Sequence, residues 1–372
     1  MKNKLLPVIL TATAFGLLAG AVGALIAGVY GSSSLSVGSF NRELDLSSLG
    51  YLSPNLVIRD AKKVVVNQDV KADETIRDLR QSLLGVFVKK EGEAIYELHA
   101  PFAQALAATS DGWVMAAWPK VPSKAEIETI KDTYVVVDDS RKVYAVDQVL
   151  SSEGAGAFIF LHLASSSGLN VRRLSPDSDI KAGQSLIISS ALDSFLLDSL
   201  QSKSMASSLL SSDSYPLTLR FAAGSALKPA YAFNLNGDLV AAVDAQGRQL
   251  AGPVLDAYWR SLLRKQDLSL PSLGVNYLDL SAVAIGGSRS YPEKGALLKV
   301  RGELPAVIKG GPADKAGLIA GDIIVRLDGI EINADNNLSV LLATYEAGDR
   351  VTVSYLRKNL PAQVEVTLGE AK

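Results

Sequence analysis

The chain has 372 residues and carries 37 Lys and Arg against 39 Asp and Glu, so its formal net charge is −2. Such a balanced charge provides no field that attracts nucleic acid, and we expect no nucleic-acid partner. The sequence has no cysteine and only two histidines, which excludes thiol catalysis, disulfides and cysteine-ligated metal centres, and we expect no cofactor.

The first predicted element is an apolar segment at residues 5–30, within a stretch that lacks charge between Lys4 and Arg42. Crossing a bilayer takes roughly 20 apolar residues, whereas the apolar part of a cleaved signal peptide usually has about 7 to 15. We therefore favour an uncleaved transmembrane helix in the lipid bilayer, with a cleaved signal peptide as the alternative. Because Lys2 and Lys4 precede the segment, residues 1–30 should form a cytoplasmic tip and a single membrane pass, with the soluble domains extracytoplasmic.

Small residues within this helix recur every four positions, at Gly16, Gly20 and Ala24. This spacing lets two membrane helices approach closely and permits a homo-oligomer. The alternative is that Gly and Ala are simply common in membrane helices. Residues 31–68 follow as a stalk and extended segment, rich in Ser and Gly at first.

Residues 69–265 are predicted to form a β-rich domain with flanking helices. Apolar residues three and four apart predict a first helix over 69–84, and another amphipathic helix over 254–265 ends the domain. Between them, short β-rich runs with tight turns and little helix indicate an antiparallel barrel or sandwich. The Ser- and Leu-rich stretch 194–214 is expected to be a surface excursion rather than a buried strand. The predicted strands include 134–137, 142–146, 157–163 and 185–189.

Residues 273–372 are predicted to form a second, compact domain. Pro312 and Gly317 bracket a single-turn helix. Asp335 is expected to cap a second helix, carrying Leu338, Leu341 and Leu342, that ends at Gly348. Apolar strands are predicted at 323–327, 351–355 and 364–368.

This second domain resembles a PDZ domain of the circularly permuted bacterial type. The resemblance rests on Leu273-Gly274-Val275, on the segment 295–298, and on the motifs GPADKAGL at 311–318, GDIIVRLDG at 321–329 and AGDRV at 347–351. Together with the β-rich unit and the anchor, the order of domains resembles the HtrA (DegS-like) family of membrane-anchored serine proteases. The resemblance implies a mainly β fold: an N-terminal transmembrane helix, a trypsin-like double β-barrel and a C-terminal PDZ domain of α+β type.

The resemblance also identifies the three catalytic positions, and none holds the residue that a serine protease requires. Pro119 occupies the position of the histidine and Ala157 that of the aspartate. The serine position falls on Lys228 or on Ala226, depending on whether the alignment is anchored at 234–237 or at Pro229. The resemblance therefore implies a catalytically degenerate member, a pseudoprotease.

A displaced catalytic site is the alternative. Ser225 lies near the expected place, and Lys228 could in principle act as its base, since Ser-Lys pairs exist. His99 and His162 are the only imidazoles in the chain. A lone histidine is more often a surface or hydrogen-bonded residue than a base, so we disfavour residual endopeptidase activity through Ser225.

The peptide-binding features of the PDZ family match residues of this chain. The resemblance implies that strand 275–280 receives an extended peptide and that backbone N–H groups of Ser272, Leu273 and Gly274 hold its terminal carboxylate. An apolar pocket for the last side chain would use Leu273, Val275 and some of Leu338, Leu341 and Leu342. These leucines could instead serve only the domain core.

Three functions follow from these features. The first is a pseudoprotease that binds peptide or protein C-termini in envelope protein quality control or scaffolding. The second is an active HtrA-like serine endopeptidase with a displaced site, and the third is an oligomeric assembly or adaptor protein. The missing triad favours the first over the second, while nothing in the sequence separates the first from the third.

Overall fold

The computed structural model describes residues 68–371, except for 93, 167, 206, 216, 225–227 and 287–290. The predicted membrane helix at 5–30, the stalk, and Ser225 and Ala226 lie outside the described residues. Within the described part, no helix is both long enough and apolar enough to span a bilayer. The helices are α1 (Gln68–Arg80), α2 (Lys124–Thr133), α3 (Gly252–Lys265), α4 (Pro312–Lys315) and α5 (Leu338–Leu342).

The first barrel is closed and antiparallel, with strand order β1-β2-β3-β6-β5-β4. Along its strands, the side chains of alternate residues pack in two different hydrophobic cores. On β6, Ile159 and Leu161 fill the barrel interior, whereas Phe158 and Phe160 join the core that this barrel shares with the second one. Burial on both faces explains why strands such as β3 and β6 are nearly continuous apolar runs. The strands are β1 (Leu83–Val88), β2 (Ala103–Ala107), β3 (Trp113–Ala117), β4 (Tyr134–Val137), β5 (Val143–Ser151) and β6 (Phe158–Leu163).

The second barrel has the strand order β10-β8-β7-β11-β12-β13. Its two edge strands are joined by a side chain, because the Gln249 amide donates to the carbonyl of Leu219 (2.8 Å) and accepts from the N–H of Leu219 (2.8 Å). One glutamine thus pairs both backbone groups of an edge residue and closes the sheet. The strands are β7 (Ser185–Ala191), β8 (Ser194–Met205), β10 (Leu217–Phe221), β11 (Ala230–Asn234), β12 (Leu239–Val243) and β13 (Gln249–Ala251).

The C-terminal domain is built on a sheet ordered β20-β19-β17-β16-β15-β9, with β18 paired to β17 and a separate β14-β21 ladder. Strand β9 (Leu209–Ser211) comes from the barrel domain, between β8 and β10. The other strands are β14 (Pro271–Ser272), β15 (Asn276–Asp279), β16 (Ala296–Leu298), β17 (Ile323–Leu327), β18 (Ile330–Glu331), β19 (Arg350–Arg357), β20 (Leu360–Thr367) and β21 (Gly369–Glu370).

The structure corrects two predictions about the barrel domain and adds one helix that the sequence analysis does not predict. The first helix ends at Arg80, because the apolar residues that follow belong to β1. The stretch 194–214 contains the twelve-residue strand β8, which pairs with both β7 and β10, although only Leu200 of this strand is buried. Helix α2 was not predicted, although its capping box is visible in the sequence, where Ser123 precedes Glu126 by three residues.

The second helix of the C-terminal domain is shorter than predicted. It is capped by Asn337, whose side chain accepts a hydrogen bond from Ser339 N–H, and it passes into its C-cap at Ala343. Asp335 lies in the preceding turn, where its N–H donates to the Asn333 side chain (3.0 Å). Its backbone therefore belongs to the turn and not to the helix end.

Helix α3 connects the barrel domain to the end of α5. The Arg260 guanidinium donates to the carbonyls of Ala343 and Thr344, the latter at 2.9 Å, and Arg264 pairs with Glu346 at 3.0 Å. A helix C-terminus presents unpaired carbonyls with partial negative charge, so a guanidinium is well matched to this position.

Candidate functional site

Three of the four proposed catalytic positions lie around one turn, residues 244–248, which joins β12 to β13. The Pro119 carbonyl accepts a hydrogen bond from the Gln246 side chain (3.1 Å), and the Lys228 side chain lies so close to Gly247 that a Cβ there would overlap it. Ala157 also contacts this turn, as described next. Proline and alanine have no proton to exchange, so two of these positions provide neither a base nor a carboxylate.

The carboxylate at this place belongs to Asp244, and it is fully engaged by backbone. Asp244 is buried, and it accepts hydrogen bonds from the N–H groups of Ala157 (3.2 Å), Gln246 (2.9 Å) and Arg248 (2.8 Å). These bonds fix the turn and attach it to the first barrel. Asp244 thus has a structural role, and it orients no described imidazole.

The two histidines lie in different settings, and the Nδ1 of His162 is paired with a carboxylate as in a catalytic His-Asp pair. His162 shares a 2.6 Å hydrogen bond between its Nδ1 and Asp147 Oδ1, and it lies five residues from Ala157 along β6, about 16 Å away by strand rise. The Ser166 hydroxyl donates to the Asp111 carbonyl (3.3 Å), and both this hydroxyl and His162 Nε2 lie beside Gly112. The His99 side chain is 79% exposed. Among the residues described, no cluster of acidic or histidine side chains could hold a metal ion.

The second candidate site is the groove between β15 and α5. All of the apolar residues predicted to form its pocket are buried in a single core cluster, which also contains Leu210 from β9. The clustered residues proposed from the sequence are Leu273, Val275, Leu338, Leu341 and Leu342.

The groove is filled by a segment of the same chain, Leu209–Asp213, which we call the inserted segment. Its residues pair antiparallel with β15, and Leu210 lies opposite Tyr277. The ladder continues at both ends, where Ser212 N–H donates to the Val275 carbonyl (2.9 Å) and Asp279 N–H donates to the Ser208 carbonyl (2.8 Å). An extended chain added to a sheet edge in this way is how such grooves receive peptides.

The end of the inserted segment places a carboxylate in the loop 272–274. Asp213 Oδ1 accepts hydrogen bonds from the backbone N–H groups of Leu273 (3.2 Å) and Gly274 (3.0 Å), and Asp213 Oδ2 accepts one from the Ser272 hydroxyl (2.6 Å). The N–H groups of Leu273 and Gly274 are two of the three that the resemblance implies for a ligand's carboxylate, whereas Ser272 contributes its hydroxyl and not its N–H. Gly274 has a φ of +75°, a conformation that side-chain-bearing residues rarely adopt.

A buried network of polar side chains links β15 to the start of α5 beside the groove. The Tyr277 hydroxyl donates to Asn337 Oδ1 (2.5 Å), and the Asn337 amide donates to Asp279 Oδ2 (2.8 Å). Ser339 on α5 donates to the carbonyl of Ser211 in the inserted segment (2.9 Å). Burial raises the pKa of the Tyr277 phenol, so it remains a neutral donor.

Known proteins resemble both halves of this arrangement. Residues 272–368 match the PDZ domain family. The Do-like serine protease HtrA of Bacillus subtilis is 31% identical over 150 residues, 37% of this chain and 32% of that protein. The periplasmic pH-dependent serine endoprotease DegQ of Escherichia coli is 34% identical over 96 residues, 26% of this chain and 20% of that protein. The chain thus spans about a third or less of the length of these curated relatives.

The fold of the described chain is also that of a solved protease. The HtrA-type protease AlgW with decapeptide matches with a TM-score of 0.50 and 12% identity, covering 81% of this chain and 99% of that one. At this identity the match concerns the fold, which is mainly β with trypsin-like barrels before a PDZ domain. The PDZ match, the HtrA and DegQ relatives and the shared fold together show that this chain is similar to HtrA-like, trypsin-type serine proteases with a C-terminal PDZ domain.

Proposed function

We propose that this protein is a membrane-anchored, extracytoplasmic pseudoprotease that binds peptide segments through the groove between β15 and α5. The observation that carries the proposal is the seating of an extended segment against β15 with its carboxylate on the loop 272–274. Backbone pairing and a carboxylate contact are the interactions that such a groove offers to a peptide from another protein, including a protein C-terminus.

The proposal of catalytic silence rests on the chemistry at the turn 244–248. Peptide hydrolysis by a serine needs a nearby base and a carboxylate that orients it, and a serine without its base loses most of its rate. Pro119 and Ala157 cannot supply these groups, and the nearby carboxylate of Asp244 is engaged by three backbone N–H groups. The barrels therefore act as a scaffold for the PDZ domain and for the inserted segment.

The location of the protein remains a proposal from the sequence. The charge-free segment at 5–30 and the preceding lysines favour a single membrane pass with the soluble part outside the cytoplasm. Protease added to intact spheroplasts should digest the soluble part. Protection of that part would reverse the orientation.

Catalysis and binding can be tested together on the purified full-length chain in detergent. We expect no degradation of an unfolded substrate such as casein and no covalent labelling by a fluorophosphonate. We expect peptides with a carboxylate to bind the accessible groove with an affinity near 1 μM, about −8 kcal/mol. Labelling that Ser225→Ala abolishes would establish an active protease instead, and a lack of peptide binding by every variant described below would refute the binding function.

A further inference from the structure

The inserted segment has the features of a bound ligand and not those of a barrel strand. In the described part of the chain, β9 pairs only with β15, and it has no partner strand in its own barrel. The strands that flank it are already paired to each other, since Met205 at the end of β8 lies opposite Leu217 at the start of β10. The loop between these two residues can therefore leave the groove while the barrel ladder stays intact.

The contacts of the inserted segment are those that an external peptide would need. Its backbone completes the edge of the sheet, Leu210 is 2% exposed, and Asp213 accepts hydrogen bonds from three donors of the loop 272–274. The cavity left beside Ser212, Asp213 and Leu342 measures about 20 Å³. This space suits a single water molecule.

We propose that the inserted segment is a tethered ligand that closes the groove, and that external ligands carry a leucine three residues before a carboxylate. That carboxylate belongs to an aspartate side chain, as in Leu210-Ser-Ser-Asp213, or to a chain end. The inference rests on the proposed peptide-binding function and adds its regulation and its ligand class. External peptides bind only by displacing the tethered ligand.

The effect of the tether can be estimated from its effective concentration. A ligand on a short flexible loop is present at roughly millimolar effective concentration. If the inserted segment binds with the same affinity of about 1 μM as a free peptide, an external peptide should bind the intact chain about 1000-fold more weakly, near 1 mM. Removing the Asp213 charge should restore a large part of the lost affinity for the external peptide, because charge-assisted hydrogen bonds hold the inserted segment in the groove.

The first test uses a fluorescent peptide with the sequence of residues 207–214, amidated, and the full-length protein in detergent. Asp213→Asn keeps the shape of the side chain and removes its charge, and we expect this variant to bind the peptide at least 10-fold more tightly than the intact chain does. Asp193→Asn is the matched control, since Asp193 is an exposed aspartate that pairs with Arg80 at the start of β8, the end opposite to the inserted segment. It should bind like the intact chain. Equal, measurable binding by the intact chain and Asp213→Asn would overturn the proposal.

Two further peptides define the ligand class. A peptide that ends Leu-Leu-Ser-Ser-Ala with a free carboxylate should also bind the Asp213→Asn variant, which would show that a chain end can replace the aspartate. The amidated peptide with Asn in place of Asp should bind at least 10-fold more weakly than the one with Asp. Equal binding of these two amidated peptides would refute the carboxylate requirement.

The second test detects the closed groove without any peptide. Leu209 and Leu278 lie opposite each other, between hydrogen-bonded pairs at 208/279 and 210/277, where side chains of neighbouring strands come closest. The chain has no cysteine, so Leu209→Cys with Leu278→Cys creates the only thiol pair. We expect a rapid disulfide within one chain, which also abolishes peptide binding until it is reduced.

The two tests separate the inference from the proposed function. Failure of the disulfide to form, or its formation only between chains, would refute the proposal that the inserted segment is a tethered ligand. A disulfide that forms within the chain, together with no peptide binding by reduced protein or by Asp213→Asn, would refute the peptide-binding function while leaving the segment seated in the groove.

Discussion

Truncation of Leu210 tests how much of the closed state depends on one apolar side chain. Leu210 is 2% exposed and packs in the cluster that contains Leu273, Val275 and Leu338. Complete burial of a leucine contributes about 1.5 to 3 kcal/mol relative to its exposed state. When the inserted segment leaves the groove, residue 210 is exposed to water in the intact chain and in the Leu210→Ala variant alike. The substitution should therefore destabilise only the closed state, in which the segment fills the groove, by about 2 kcal/mol.

This free energy converts directly into affinity for an external peptide. A change of about 2 kcal/mol corresponds to roughly 30-fold, since 1.4 kcal/mol is a factor of ten. Fluorescence anisotropy with the labelled copy of residues 207–214 should thus show an apparent Kd about 30-fold lower for Leu210→Ala than for the intact chain. Leu263→Ala is the control, because Leu263 is 60% exposed on α3 and its truncation should leave the Kd unchanged.

The competing explanation is that Leu210 is an ordinary core residue of the PDZ domain. In that case Leu210→Ala would lower the free energy of unfolding by 2 to 5 kcal/mol, as core truncations do, and would leave the peptide Kd unchanged or raise it. Urea unfolding measured beside the anisotropy titration distinguishes the two. A lower unfolding free energy without tighter peptide binding would refute the reasoning.

Three further predictions concern the barrel domain. Asp244→Asn should lower the free energy of unfolding by about 3 kcal/mol in urea titrations, because buried backbone donors lose a charged acceptor; Asp193→Asn should leave it unchanged. Ser123→Ala should cost about 1 kcal/mol by removing the N-cap of α2, with exposed Ser140→Ala as the control. The hydrogen bond from Lys120 and those from Ser123 hold the pKa of Glu126 at about 2, below its ordinary 4.5. Its contribution to stability is therefore present above pH 4.5 and lost as the pH falls through about 2, and Glu126→Gln should flatten the acid limb of the stability curve.

The sequence predicts an element well where the element is a continuous apolar run or where Pro and Gly mark its ends. The strand Tyr134–Val137 has the predicted bounds, and the single-turn helix begins at Pro312 as its motif indicates. The first helix was extended too far because Leu83 and Leu84 continue the helical spacing, although they belong to the first barrel. The local spacing of apolar residues cannot show where a chain passes from one hydrophobic core into another.

The inserted segment could not be predicted for a different reason. Leu209 to Asp213 lies in a stretch whose composition is dominated by Ser and Leu, which gives no signal of a preferred partner. Its contacts are with residues about sixty positions later, such as Ser272 and Gly274. The resemblance to PDZ domains implies that the loop 272–274 holds a ligand's carboxylate, and only the three-dimensional contact shows that the Asp213 carboxylate lies there.

The barrel domain contacts the PDZ domain on both sides of the groove, at the end of α5 and along β15. These two contacts differ in kind. Arg260 and Arg264 bind the end of α5 through carbonyls and a carboxylate, whereas the inserted segment pairs with β15 as a ligand would. An external peptide competes only for the second attachment. Its binding therefore releases the loop between Met205 and Leu217 to solvent while the arginines keep the PDZ domain docked. Under the proposed function, occupancy of the groove therefore changes the surface of the second barrel, which gives the barrels a role that requires no catalytic group.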